Sequence, residues 1–153
     1  MKFLRLRIPP PIAAVFFGLL IWGLSRLLSA HSLDPEIRQI IAMVLIGMAA
    51  AIDIWALFSF RQVKTTIDPR YPHKSSSIVK SGIYRYTRNP MYLGLALILS
   101  ALSVYLGAKF GFFIVAAFVL YMNEFQIKPE EDVLEKNFGE EYLAYKSKVR
   151  RWL

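Results

Sequence analysis

The stretch SSIVKSGIYRYTRNPMYLG, residues 76–94, decides the fold because it carries a basic, aromatic loop straight into an apolar segment. Two long apolar runs precede this stretch, and two more follow before a polar tail that begins near Pro129. Pro90 suits the first turn of a helix, where its missing N–H costs nothing. We therefore expect the loop and the tail to fold together on one membrane face and to form a ligand site.

The composition is that of a membrane protein with one domain, residues 1–153. Hydrophobic residues make up 56% of the chain, against about 45–50% in soluble domains. The absence of cysteine excludes disulfides, thiol nucleophiles and cysteine-ligated metals. The histidines, His31 and His73, lack partners at metal-binding spacing, so we predict no metal. The net charge of +8 lies largely at the ends of apolar runs, so we also predict no nucleic-acid partner.

Four apolar runs predict four transmembrane helices, because roughly 20 helical residues cross the bilayer core. The runs are residues 11–30, 37–60, 90–107 and 110–127. The loop of residues 61–89 holds seven basic residues against one acid, Asp68, and such an excess marks a cytoplasmic loop. The N-terminus is basic too. The sequence thus predicts an all-α, multi-pass integral membrane protein with both termini cytoplasmic, in a prokaryotic inner membrane.

The second span contains two features with structural consequences. Gly47 and Ala51, four residues apart, permit a close contact with another helix. Asp53 is the one acid in this span and lies about two helical turns from Arg61. A carboxylate there faces protein or water rather than lipid. Asp53 is therefore either a hydrogen-bonded carboxylate near the helix end or part of the wall of a polar cavity.

The tail, residues 129–153, is predicted to form two cytoplasmic helices separated at Gly139. Pro129 begins the first helix, and acids fill its first turn, where they favour the macrodipole. Apolar residues then recur every three or four positions. This stripe either packs on the core or lies in the membrane interface; it contains Leu134, Phe138, Tyr142, Tyr145, Val149 and Trp152.

Cations, tyrosines and paired glutamates together suit a ligand that carries both a carboxylate and an ammonium group. Arg88 and the N–H groups that begin the third span could hold an anion. Glu130 or Glu131 could hold the ammonium or accept from ribose hydroxyls. The tyrosines could stack on a purine or lie against a sulfonium. Helix-start electrostatics and an interfacial aromatic belt explain the same residues structurally, so at this point the function stays open.

Two motifs lie on either side of an apolar hairpin. The first contains Ile78, Val79, Gly82, Tyr84, Arg88, Pro90 and Tyr92. The second contains Glu130, Glu131, Leu134, Phe138, Gly139, Tyr142 and Tyr145. In this order they resemble the isoprenylcysteine carboxyl methyltransferase family, whose layout the related phospholipid N-methyltransferases share. The resemblance covers residues 61–153.

The resemblance implies an integral-membrane methyltransferase that uses S-adenosylmethionine. In the family the cofactor lies in a cytoplasmic pocket closed by the C-terminal helices, and a lipophilic acceptor, a carboxylate or an amine, enters from the bilayer. The implied cofactor contacts are Ser76, Ser77, Ile78, Val79, Gly82, Tyr84, Asn89, Pro90, Met91, Tyr92, Glu130 and Glu131. The catalytic candidates are Arg88, Asn89 and Glu130. Arg88 would also anchor a carboxylate, and Gln126 and Asp53 are the other candidates for substrate contact.

The chain departs from the family's usual pattern at two positions. Asn89 stands where the family usually has histidine, and asparagine keeps a hydrogen bond but cannot titrate near neutral pH. Gln126 stands where eukaryotic members typically carry an arginine that reads the substrate carboxylate. Two alternatives stay open: a sterol-reductase-type enzyme that uses NADPH, and a non-catalytic membrane protein that has kept the fold.

Overall fold

The structure is a computed structural model, and it describes residues 6, 8–28, 33–63 and 78–153. Over these residues the backbone is helical and forms no β-strand; one isolated parallel bridge joins Thr87 to Arg150. The predicted all-α class is confirmed. The predicted cofactor contacts Ser76 and Ser77 lie outside the described residues.

The described helices follow the order that the sequence predicts. They are α1 (Pro10–Leu27), α2 (Pro35–Val63), a 3-10 turn (Gly82–Arg85), α3 (Pro90–Tyr105), α4 (Gly111–Met122), a π-turn (Asn123–Ile127), α5 (Lys128–Phe138) and α6 (Glu140–Lys148). Three stretches are long and apolar enough to cross a membrane: Pro10–Leu27, Pro35–Arg61 and Gly111–Phe138. The 16 residues of α3 are apolar but extend only about 24 Å, short of the roughly 30 Å core. Three to four helices could therefore span a bilayer.

Helix α3 lies at the centre of the bundle, because it packs against α1, α2 and α4. Along its length it buries side chains that include Tyr92, Ala96 and Leu99. The outer helices instead expose large apolar side chains, such as Val15 at 64% and Leu120 at 65%. An apolar outer surface of this extent fits a hydrocarbon surrounding.

The close contact between α2 and α3 differs from the predicted one. Gly47 faces open space and Ala51 is exposed, so the predicted helix contact at these residues is wrong. The helices approach closely at Gly94 instead, where an added Cβ would overlap the carboxylate of Asp53. A glycine on the buried helix α3 thus makes room for the acid of α2.

The beginning of the tail also differs from the prediction. Helices α4 and α5 are joined through the π-turn without interruption, and Ile127, just before α5, has helical φ and ψ of −67° and −50°. No helix therefore begins at Pro129, and the acids after it do not meet a free helix N-terminus. The apolar part of this long helix ends at Ile127, because charged residues crowd the next turns. We treat α5 as lying beyond the membrane-spanning part.

The rest of the tail folds as predicted. Gly139 has a φ of +51°, a conformation that suits glycine, and it separates α5 from α6. The apolar stripe packs on the protein rather than facing the membrane interface. Three of its residues, Tyr142, Tyr145 and Val149, form a buried cluster that Ile78 of the loop also contacts. The C-terminal helices are thereby fixed on the loop that leads into α3.

Candidate ligand site at the loop and tail

The described part of the loop, residues 78–89, is held against the end of α2. Gly82 has a φ of +59°, and an added Cβ would overlap the hydroxyl of Ser59. Tyr84 packs edge-on against Phe60, with ring centroids 5.4 Å apart. Val79, Ile83 and Tyr84 are buried together with a residue of α2. The loop therefore lies in one defined place, from which it enters α3.

The structure brings together Tyr92 and Glu130, as the sequence predicts. Tyr92, in the first turn of α3, donates its hydroxyl hydrogen to Oε1 of Glu130 at 2.5 Å. Burial raises the pKa of Glu130 to about 8; the hydrogen bond from Tyr92 lowers it, and the charge of Glu131 raises it further. At neutral pH the Glu130 carboxyl group is therefore largely protonated, and a nearby cation would favour its ionised form.

A second carboxylate faces the same region. The pKa of Tyr84 is raised chiefly by burial, and then by the charges of Tyr145, Glu130 and Asp53. Tyr84 thus lies within the fields of both Glu130 and Asp53. The Oδ1 atom of Asp53 is buried without a hydrogen-bond partner among the described residues. Acidic and hydroxyl groups of this kind are suited to a cationic ligand.

Glu131, next to Glu130 in sequence, has a different environment. Its side chain is 7% exposed, and Arg88 and Arg151 pair with its two oxygens at 2.7–3.0 Å. Burial opposes the ionisation of Glu131, but the hydrogen bonds and charges of Arg151 and Arg88 outweigh it and lower its pKa. The Glu131 carboxylate therefore stays ionised as the centre of a buried ion-pair network.

Arg88 and Asn89 fasten the C-terminal end of the chain. Arg88 donates through Nη1 to the carbonyl oxygens of Lys146 and Val149, at 2.8 and 2.7 Å, and so satisfies the end of α6. Asn89 donates through Nδ2 to the carbonyl oxygen of Arg151 at 2.8 Å. We call Arg88, Asn89, Glu131 and Arg151 the tail clasp. Within the described residues, the Nε of Arg88 is buried without a partner.

Gln126 ties the N-terminal segment to the π-turn. It is fully buried and donates through Nε2 to the carbonyl oxygen of Ile8 at 2.6 Å. Its Oε1 atom is also buried, without a hydrogen-bond partner in the described segments. π-turns within longer helices are frequent at functional sites. Within the part of the chain that the structure describes, Gln126 thus keeps one buried acceptor without a partner.

The predicted residues fall into three groups. Tyr84, Tyr92, Glu130 and Asp53 form the acidic and hydroxyl region. Arg88, Asn89 and Glu131 belong to the tail clasp. Gly82, Val79, Ile78, Pro90 and Met91 pack the loop against α2 or the tail. Sequence reasoning missed Arg151, although a basic pair between two residues of the apolar stripe, Val149 and Trp152, signals a partner for a buried acid.

The acidic and hydroxyl region offers hydrogen-bond acceptors to a cationic ligand. Across the described ranges, no three His, Asp or Glu side chains gather at a metal-binding distance. The Glu130 carboxyl, the unpartnered Oδ1 of Asp53 and the hydroxyls of Tyr84 and Tyr92 are acceptors that a sulfonium or ammonium group would attract.

Comparison with known proteins gives two matches. The profile of the phospholipid methyltransferase family matches residues 37–141, from the start of α2 into α6. An uncharacterized protein from Haemophilus influenzae is 52% identical over 63 residues, which are 41% of this chain and the whole of that protein. No solved structure matches.

Proposed function

The chain belongs to the phospholipid methyltransferase family, and from this premise we propose that it transfers a methyl group from S-adenosylmethionine to a small lipophilic acceptor at one membrane face. The family accounts for methyl transfer in a membrane, and the contact between Tyr92 and Glu130 at 2.5 Å carries the rest of the proposal. That contact joins the first turn of α3 to the first turn of α5, and the charge of Glu130 contributes to the raised pKa of Tyr84.

The bound cofactor would supply an electrophilic methyl group on a sulfonium. Glu130 would face the ammonium group of the cofactor, which S-adenosylhomocysteine also carries, and the hydroxyl of Tyr92 would fix the orientation of that carboxylate. The main contribution of such residues is alignment, because a well-oriented pair of reactants avoids the entropy cost of their encounter. The tail clasp holds the end of α6 against the loop, and exclusion of water from the bound reactants there would favour a reaction that neutralises charge.

The charges of the region favour an amine acceptor over a carboxylate. Arg88, the predicted anchor for a carboxylate, engages both Nη atoms with Glu131 and two carbonyl oxygens. Asp53 and Glu130 provide acidic groups that attract an ammonium. An amine must lose its proton before it attacks, and the Glu130 carboxyl group, once a bound cation has favoured its ionised form, would accept that proton.

Calorimetric titration with S-adenosylhomocysteine, on full-length protein in detergent, tests the proposal. We expect wild-type protein to bind, and Glu130→Gln and Tyr92→Phe to weaken binding by about tenfold, the loss of one charge-assisted hydrogen bond. Asp132→Asn is the matched control, because Asp132 lies on the same helix and is exposed. The absence of binding to pure, folded wild-type protein would contradict the proposal.

The same preparation separates the alternatives. Quenching of tryptophan fluorescence by NADPH, without any response to S-adenosylhomocysteine, would favour the reductase. A protein that binds neither ligand would match the non-catalytic alternative. Transfer of a labelled methyl group to an extracted membrane amine, lost in Glu130→Gln and kept in Asp132→Asn, would support methyl transfer directly.

A further inference from the structure

A cavity of about 210 Å³ lies at the end of the bundle opposite to Tyr92 and Glu130. Helix α3 begins at the candidate ligand site and ends, at Tyr105, beside this cavity. The start of α2 and the turn between α3 and α4 complete its wall. Its lining includes Arg38, Lys109, Ser103, Leu33 and Phe112. We call it the far-end cavity.

Arg38 lies in the wall of the far-end cavity with unused hydrogen-bonding capacity. Its Nη1 makes one long hydrogen bond, 3.4 Å, to the carbonyl oxygen of Tyr105. Its Nε is buried and has no partner among the described residues. Leaving a buried charged donor unsatisfied costs free energy, and a ligand that accepts this hydrogen bond would recover it.

The charge of the far-end cavity is positive. Arg38 and Lys109 line it, and none of its described lining residues is a carboxylate. The acids nearest in sequence, Asp34 just before α2 and Glu36 in its first turn, are exposed, and Asp34 accepts the backbone N–H of Glu36 at 2.8 Å. An arginine and a lysine that line one small cavity suit a phosphate group, which a guanidinium can bind through two parallel hydrogen bonds.

We propose that the far-end cavity binds the phosphate of an anionic phospholipid. Its volume is below the about 300–1,000 Å³ typical of pockets that enclose a whole small molecule, so it has room for a headgroup only. Two of its lining residues, Leu33 and Phe112, are 47% and 58% exposed, and both are apolar. The acyl chains would lie along these surfaces while the phosphate contacts Arg38 and Lys109.

The proposal concerns a second site that is independent of methyl transfer. A phosphate held between Arg38 of α2 and Lys109 of the α3–α4 turn would link these two elements. The lipid would thereby stabilise the hairpin that carries the candidate site at its other end. Failure of cofactor binding would leave this proposal untouched, because the two sites share no described residue.

Native mass spectrometry of the detergent-solubilised, delipidated full-length protein tests the proposal with three probes. They are dioleoyl phosphatidylglycerol, dioleoylglycerol, which lacks the phosphate, and inorganic phosphate. We expect Arg38→Gln to weaken binding of phosphatidylglycerol by roughly tenfold, and Lys109→Gln by several-fold. Arg26→Gln is the control, because Arg26 lies 5.6 Å from the Trp22 ring and does not line the cavity.

Each outcome decides for or against the proposal. Equal binding to Arg38→Gln and wild type, equal weakening by Arg26→Gln, or equal binding of dioleoylglycerol would overturn it. Inorganic phosphate that competes weakly with the lipid supports it, whereas phosphate that binds alone as tightly as the lipid would assign the site to free phosphate. If Arg38→Gln does not fold, Arg38→Lys keeps the charge and removes the guanidinium, and we expect it to weaken binding several-fold.

Discussion

Replacing Glu131 with glutamine removes the charge at the centre of the tail clasp while it keeps the size of the side chain. The sequence and the structure give different expectations for this variant. If Glu131 contacts a cofactor, the variant loses ligand affinity and keeps its stability. If Glu131 holds the tail, as its pairing with Arg88 and Arg151 indicates, the variant loses stability first.

The magnitude follows from the burial of the three side chains. Arg88 and Glu131 are 9% and 7% exposed, so the guanidinium left behind in the variant has little access to water. Removing one partner of a buried ion pair costs about 3–5 kcal/mol. Arg151 is 30% exposed and can turn to solvent, which places the cost near the lower end, about 3 kcal/mol. For a chain of this length that corresponds to a fall of about 6–12 °C in Tm.

The assay is thermal unfolding of wild type and variant in the same detergent, followed by circular dichroism, with the midpoint measured at several pH values. The low folded-state pKa of Glu131 stabilises the protein above the pKa of the unfolded chain, near 4.5. This contribution is lost as the pH falls through the lower folded-state value, so wild type and variant should converge in acid. The control is Glu141→Gln, because the pair of Glu141 with Lys80 is 59% and 40% exposed.

A loss for Glu131→Gln no larger than that of the exposed pair, which is worth about 0–1 kcal/mol, would refute the structural assignment. A loss of affinity for S-adenosylhomocysteine at unchanged Tm would restore Glu131 as a ligand contact. A double-mutant cycle with Arg88→Met locates the effect, since a true clasp requires the two substitutions to be strongly non-additive.

Three further predictions concern the site and the bundle. The pKa of Glu130 is about 8, so calorimetry should show the affinity of wild type for S-adenosylhomocysteine rising from pH 6.5 to 9. The affinity of Glu130→Gln should stay nearly constant over the same range. Equal pH profiles would count against Glu130 as the group that faces the cation. Gly94→Ala should destabilise the protein by about 1–3 kcal/mol, because the new methyl group overlaps Asp53. Gly47→Ala, in open space, should be neutral or stabilising. Similar Tm values for the two variants would contradict a close contact of α2 with α3 at Gly94. Tyr145→Phe removes a buried hydrogen bond, 2.7 Å long, to the carbonyl oxygen of Tyr84. The variant should lose about 1–2 kcal/mol of stability, and its loop should become more sensitive to protease. An unchanged rate of proteolysis would show that this bond does not hold the loop.

The helical class, the order of the apolar runs and the break at Gly139 were all predictable from the amino-acid sequence. These features depend on local composition and on backbone geometry, both of which can be read from neighbouring residues. The two motifs also predicted that Tyr92 and Glu130 would meet, and the structure joins them by a hydrogen bond. The apolar stripe of the tail was compatible with packing on the core or with lying in the membrane interface. In the structure it packs on the protein.

The different environments of Glu130 and Glu131 were decided by tertiary structure alone. They are adjacent, chemically identical, and both follow Pro129. Successive residues on a helix point about 100° apart, so one glutamate faces Tyr92 and the other faces Arg88 and Arg151. The partner that each glutamate faces depends on the rotation of α5 about its axis. That rotation is fixed relative to α4 by the π-turn, where the hydrogen-bond register shifts. The packing of the whole bundle sets that rotation. It also determines that α2 and α3 approach closely at Gly94 and not at Gly47. Neither feature is encoded by a local pattern of residues.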